Sequence, residues 1–250
     1  MISDPLFYLA AISAILIVGI SKGGFGGGLG VMAVPIMSLV ISPVQAASIM
    51  LPILCLMDIF SLWHFRGKGD WKILKTILPA ALLGIALGTF TFKYFNEDQI
   101  RVLVGLIALS FTLHHWLAPK YQSQPRASYL RGGFWGILSG FTSFGVHAGG
   151  PPANAYLLPL GMQKSVFAGT TIIFFACINY AKLIPYYSLD QLDAENLLTS
   201  LSLAIFAPIG VRLGFHLHQR ISGEQVFKFC YLFLFLTGAK LFYDGITNLY

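Results

Sequence analysis

Ten apolar stretches, set apart by clusters of glycine, proline and charge, restrict this chain to folds that a lipid bilayer can solvate. The first five run over residues 5–20, 31–42, 43–65, 71–95 and 100–116, and the last five over 129–145, 151–161, 163–187, 195–218 and 225–247. Charged side chains fall between these runs rather than along one face of each. With 56% hydrophobic and only 10% charged residues in 250, and a mean hydropathy of +0.73, a water-soluble domain of this length could not cover its apolar surface. The expected class is an all-α polytopic membrane protein. A helix needs about 20 residues to cross the hydrocarbon, with a usual range of roughly 17–25. The third, fourth, eighth, ninth and tenth stretches meet this and the fifth meets it narrowly. The first two of each half have only about 11 to 17 residues each, with a glycine-rich break between them. Each such pair is expected to form a broken helical hairpin.

An internal repeat organises the rest. Gly84, Gly88, Asp98 and Gln99 match Gly210, Gly214, Glu224 and Gln225, each displaced by 126 positions. Earlier in the halves the displacement is 121, with Gly19, Gly24 and Gly28 matching Gly140, Gly145 and Gly149, and 122 for Ala46 and Ala168. The extra residues then sit in the loop Ser188 to Glu195, where an insertion is tolerated. One membrane domain is therefore expected over 1–250, with repeat 1 at 5–116, a cytoplasmic connecting loop at 117–128 and repeat 2 at 129–247. Loop charge orients the halves, because Lys and Arg gather on the cytoplasmic side. Arg66, Lys68, Lys72 and Lys75 follow the third stretch, whereas Asp190, Asp193 and Glu195 follow the eighth, with Lys182 nearby. Lys120, Arg126, Arg131, Arg212, Arg220 and Lys228 fall on the inner side, and Glu97 and Asp98 on the outer. Equivalent loops thus carry opposite charge, and the halves are expected to be inverted repeats, each a glycine-broken hairpin plus three transmembrane helices. Lys22, within the first glycine-rich break, is assigned to no aqueous edge.

The two breaks, Ser21 to Gly30 (SKGGFGGGLG) and Thr142 to Pro152 (TSFGVHAGGPP), match across the repeat. Unwound backbone survives in a membrane only where protein buries it or it lines a cavity, and paired broken segments mark a transporter's substrate site. Each break precedes a short helix whose free N–H groups and positive dipole end attract anions. The substrate site is therefore placed on Ser21, Lys22, Gly23, Gly24, Gly26, Gly27 and Gly28 in the first break and on Thr142, Ser143, His147, Gly149 and Gly150 in the second. The competing reading is that the glycines serve close helix packing. Lys22 is the sharpest residue, since an intramembrane cation costs about 2.5–3.5 kcal/mol on insertion scales unless paired or hydrated. An anionic substrate would relieve that cost; snorkelling to the interface is the alternative. Ser21, Thr142 and Ser143 offer hydroxyls, although such groups often bond to a carbonyl one turn back. His147 could donate to an anion or carry a coupled proton.

Asp58 lies inside the third stretch and aligns near Asn179 and Tyr180, so a polar feature recurs at one depth in both halves. It is a candidate for proton coupling, as His147 is, or else the partner of a nearby cation. Gln45 and Gln163, each near the start of a long helix, are placed at the hairpin tips or read as caps. Arg212 and Lys182 are weaker, because each could reach an aqueous edge. Cys55, Cys177 and Cys230 are isolated in apolar segments, and the His114–His115 pair and the His216 and His218 pair have no supporting ligand set, so no metal is expected. The start of the chain, Met1 to Pro5, carries an acid and no base, which does not read as a cleaved leader; residue 1 is expected to be the mature start.

The stretch from Lys22 to Gly30 with Pro35 downstream, its echo from Gly149 to Pro152 with Pro159, and the duplicated length resemble the sulfite exporter TauE/SafE family of membrane permeases. The resemblance covers Leu9 to Tyr243. It implies export of small sulfur-containing anions, sulfite or organosulfonates, across a bacterial inner (cytoplasmic) membrane without ATP hydrolysis. Pro151, Pro152 and His147 depart from the glycine-richest form of the motif. The function expected is a secondary transporter that binds one anion near the midplane between the two breaks and works by alternating access. An anion channel and a membrane-embedded enzyme acting on a sulfur compound are the alternatives; the second would need a nucleophile or metal set that the scattered Cys and His residues do not supply. The partners expected are the anionic substrate, the lipid bilayer, a coupling proton or sodium ion and a second copy in a homodimer. The net charge of +6 is accounted for by cytoplasmic loops, so nucleic acid is not among them, and no cofactor is called for.

Overall fold

The structure, a computed structural model, describes residues 2, 4–24, 28–117, 127–217 and 223–249. Gly26 and Gly27 of the first break, and Lys120, Arg126, His218 and Arg220, lie outside the described residues. The first half holds α1 (Pro5–Gly24), α2 (Ala33–Met37), α3 (Pro43–His64), α4 (Trp71–Tyr94) and α5 (Glu97–Leu117). The second holds α6 (Tyr129–Val146), α7 (Gly150–Leu157), α8 (Lys164–Ser188), α9 (Ala194–Leu203), α10 (Phe206–Leu217) and α11 (Gly223–Leu249). Single 3-10 segments, Gly28–Met32 and Leu158–Leu160, lead into α2 and out of α7. There is no strand among the described residues. Five helices, α1, α3, α4, α5 and α8, are long and apolar enough to cross a bilayer, and α9 with α10, bent by 42°, make a sixth if counted as one span. The chain is a polytopic all-α membrane protein.

The first arm of each expected hairpin is longer than its apolar run. Helix α1 has 20 residues and α6 has 18, so the short elements are only the second arms, residues 28–37 and 150–160. Glycine after Ile20 reads as a break in sequence, but α1 keeps its helical turn through Gly23 because α10 lies against it: a Cβ there would sit 2.2 Å from the Val211 carbonyl oxygen. The same device joins the halves. Gly19 faces Gly210 and Gly23 faces Gly214, so α1 and α10 run parallel; Gly136 faces Ala80 and Gly140 faces Ala81, so α4 and α6 run parallel as well. In contrast, Gly105 of α5 meets Phe242 while Gly245 of α11 meets Asp98 and Val102, which makes that pair antiparallel. Helices α3 and α8 are also antiparallel, with Asp58 beside Asn179 and Asp70, just past α3, bonded through its N–H to Thr170 near the start of α8.

These directions sort the loops into two ends. One end carries Arg66, Lys68, Lys72, Lys75, Arg131, Lys164 and Arg212, and its rim is marked by exposed Trp63, Trp71, Trp116 and Tyr129. The other carries Asp4, Glu97, Asp98, Asp190, Asp193, Glu195 and Asp244 against Lys93, Arg101 and Lys240, with exposed Tyr94, Tyr187 and Tyr243. Aromatic residues at both rims and leucines such as Leu83, Leu106 and Leu201 exposed between them are the surface a bilayer solvates. Helix starts near the rims are capped by side chains: Ser42 accepts from the Gln45 N–H, Asp70 from Lys72 and Ile73, and Asp193 from Asn196.

Candidate functional site

Two buried polar clusters meet in the interior, where α1, α3, α6 and α8 converge. In the first, Lys22 in the last turn of α1 forms an ion pair with Asp58 of α3. Lys22 is 8% exposed and Asp58 1%, so Lys22 does not snorkel. Its ammonium also donates to the Leu54 carbonyl at 3.4 Å. The second oxygen of Asp58 accepts from the Asn179 side-chain amide at 2.7 Å, and the Tyr180 hydroxyl donates to the Cys55 carbonyl at 3.2 Å. Asp58 and Asn179 are 121 positions apart, the displacement of the early repeat, and they bond to one another across the two halves.

In the second cluster Lys182, one turn beyond Asn179 on α8, is wholly buried. Its ammonium donates to the Ser143 carbonyl at 3.0 Å and to the Ser143 hydroxyl at 3.1 Å, and its Nζ lies 2.8 Å from His147 Nδ1. Among the described residues its hydrogen-bond partners include no carboxylate. His147 ends α6 in the left-handed conformation, with φ 54°, which turns its ring toward α3, and Nε2 lies 2.9 Å from the Ala47 carbonyl. A carbonyl only accepts, so Nε2 carries the hydrogen and Nδ1 presents its lone pair to the ammonium. Below this cluster the Tyr186 hydroxyl donates to the Phe144 carbonyl at 2.5 Å. A small cavity beside these residues is lined by Val44, Ala47, Phe92, Phe144, Gly145, Tyr186 and Gln191.

The breaks come together as well: a Cβ on Gly30 would lie 3.6 Å from the His147 carbonyl oxygen. Around the second break the Thr142 hydroxyl is turned to the backbone carbonyls of Leu138, Ser139 and Ala148. The Ser139 hydroxyl donates to the Gly149 carbonyl at 2.7 Å, and Gly149 packs so closely on Ser139 that a Cβ would sit 2.8 Å from its carbonyl oxygen. Gly150 begins α7 and is buried, but Pro151 and Pro152 supply no N–H at the next two positions. Ser21 and Gly23 are buried in α1, Gly24 ends that helix, and Gly28 opens the following 3-10 turn. Gln45 lies in the first turn of α3, half-buried, and Gln163 is the exposed residue before α8, with no side-chain cap bond. Neither is a hydrogen-bond partner of Lys22 or Lys182. Lys182, the weaker candidate expected to reach an aqueous edge, lies well inside α8, which continues to Ser188, and is buried. The signal for it was its one-turn spacing from Asn179, the residue equivalent to Asp58.

The family model for the sulfite exporter TauE/SafE matches residues 11–241 of this chain. No curated protein and no solved structure matches the sequence.

Proposed function

The chain belongs to the sulfite exporter TauE/SafE family, and from that membership and its buried lysines we propose a secondary transporter of small sulfur-containing anions, sulfite or organosulfonates. The observation that carries this reading is Lys182: a fully buried amine whose hydrogen-bond partners, Ser143 and His147, are neutral. A cation held this way is costly in a low-dielectric interior, and an anion at the same place offsets the cost. Lys22 is already matched by Asp58, so the anion's counter-charge is Lys182, with the Ser143 hydroxyl and the His147 ring as its neighbours.

Alternating access fits a site between two halves that face in opposite directions. We infer that the halves are inverted repeats, each with a broken hairpin and three spanning elements. Antiparallel packing of α5 on α11 and of α3 on α8 supports this, because a two-fold axis relating such neighbours lies in the membrane plane. The basic end then faces the cytoplasm of an inner membrane. Transport in the outward direction, and coupling to a proton or sodium gradient, follow the family reading. Rocking of one half against the other would open Lys182 first to one end and then to the other.

Counterflow of labelled sulfite in proteoliposomes tests the proposal. Uptake competed by unlabelled sulfite or methanesulfonate and unaffected by chloride is the expected result. Uptake no greater than in protein-free vesicles, for every sulfur anion tried, contradicts it.

A further inference from the structure

The charge inventory of the two clusters carries a statement about which anions the site takes. Asp58 receives a donor on each oxygen, the Lys22 ammonium on one and the Asn179 amide on the other, which is the pattern of an ionised, acceptor-only carboxylate. Lys182 has three acceptors for three hydrogens, the Ser143 carbonyl, the Ser143 hydroxyl and His147 Nδ1, which is the pattern of an ammonium. His147, with its Nε2 hydrogen on the Ala47 carbonyl and its Nδ1 accepting, is neutral. Serine, threonine and asparagine add dipoles and no charge. The charged side chains beside this cluster among the described residues are Lys22 and Asp58, which are paired with one another. Among the described residues the interior therefore holds two cations and one anion.

We propose that this single net positive charge makes the site selective for monoanions, sulfonates and hydrogensulfite, over dianions of the same size. The inference rests on the reading of Lys182 as the anion's counter-charge. Its physical reason is a mismatch of scaling. The attraction of an anion to one net positive charge grows in proportion to the anion's charge, whereas the cost of stripping its water grows with the square of that charge. A monoanion leaves the interior neutral. A dianion doubles the attraction, roughly quadruples the desolvation, and leaves a net negative charge buried between the halves.

Methanesulfonate and sulfate make the test, because they are both tetrahedral and differ by a methyl group in place of one charged oxygen. Their binding to purified protein is measured by calorimetry or thermal shift, with each anion as its sodium salt at matched ionic strength. Methanesulfonate is expected to bind about tenfold more tightly than sulfate, or better. Sulfate binding as tightly as methanesulfonate, or more tightly, overturns the inference while leaving the anion site in place. Failure of both anions, and of sulfite, to bind overturns the Lys182 reading on which it rests. Asp58→Asn raises the net charge by one and is expected to shift the ratio toward sulfate by about tenfold; an unchanged ratio in folded protein contradicts the charge count. Should that variant not fold, Lys22→Gln combined with Asp58→Asn keeps the net charge at one. Its methanesulfonate-to-sulfate ratio is then expected to match the wild type, and a reversed ratio overturns the proposal.

Discussion

The two halves hold a lysine at nearly the same depth and treat it in opposite ways. In the first half, Lys22 on α1 reaches α3 and is neutralised there by Asp58. In the second the lysine is on the other helix: Lys182 is on α8 and reaches Ser143 of α6, which stands 121 positions after Lys22. The residue equivalent to Asp58 is Asn179, which keeps a hydrogen bond and drops the charge. One side is thus a neutral tie between α1, α3 and α8, and the other a cation with no carboxylate among its described hydrogen-bond partners. On the proposed reading that asymmetry leaves a charge for the substrate to meet.

Breaking the tie should cost the most. Lys22→Met leaves Asp58 buried without its cation and is expected to destabilise the protein by about 3–5 kcal/mol, whereas Lys22→Met with Asp58→Leu removes both charges and should recover much of that loss. Unfolding in detergent of the two variants beside the wild type measures it; equal damage in single and double variants would mean that the pair is not a closed unit. The glycines compare the halves next. Gly140 and Gly19 are repeat equivalents, yet a Cβ on Gly140 would meet the Ala81 carbonyl oxygen at 1.9 Å and one on Gly19 would meet the Gly210 backbone at 2.8 Å. Gly140→Ala is therefore expected to cost about 1–3 kcal/mol, and Gly19→Ala less, by the same unfolding assay. His147→Asn comes third. Asparagine tolerates the left-handed backbone but cannot reach Lys182 and Ala47 together, so the expected cost to stability is about 1 kcal/mol, accompanied by weaker methanesulfonate binding. Smallest is Gly133→Ala on α6, where a Cβ meets nothing within 4 Å. It is expected to be neutral or to raise the unfolding midpoint slightly, since alanine is the better helix former; a large loss there would show that the α6 face is covered.

Much of the fold was legible because hydrophobicity in a bilayer is a strong local signal. Each of the ten apolar runs corresponds to a helical element or a bent pair of elements, and the loops that were sorted by charge fall at the ends expected of them wherever they are described. The lengths of α1 and α6 were not legible, because glycine ends a helix in one context and seats a neighbouring helix in another. Gly23 and Gly140 do the latter, and only the packing of α10 and α4 against them reveals it. Asp58 and Asn179 were visible as a recurrent polar depth, but their bond depends on the antiparallel approach of α3 and α8. Lys182 was hidden by proximity to an acidic loop. A lysine six residues from a helix end can snorkel, and what prevents it here is the inward face it shares with Asn179 and Tyr186.

The central claim is that Lys182 is the charge an anion meets, and binding of methanesulfonate to purified Lys182→Met protein tests it most directly. The substitution strands no buried charge, so the variant should remain folded and monodisperse, and the account predicts that it shows no saturable binding where the wild type does. Wild-type affinity in that variant would place the anion elsewhere and contradict the account.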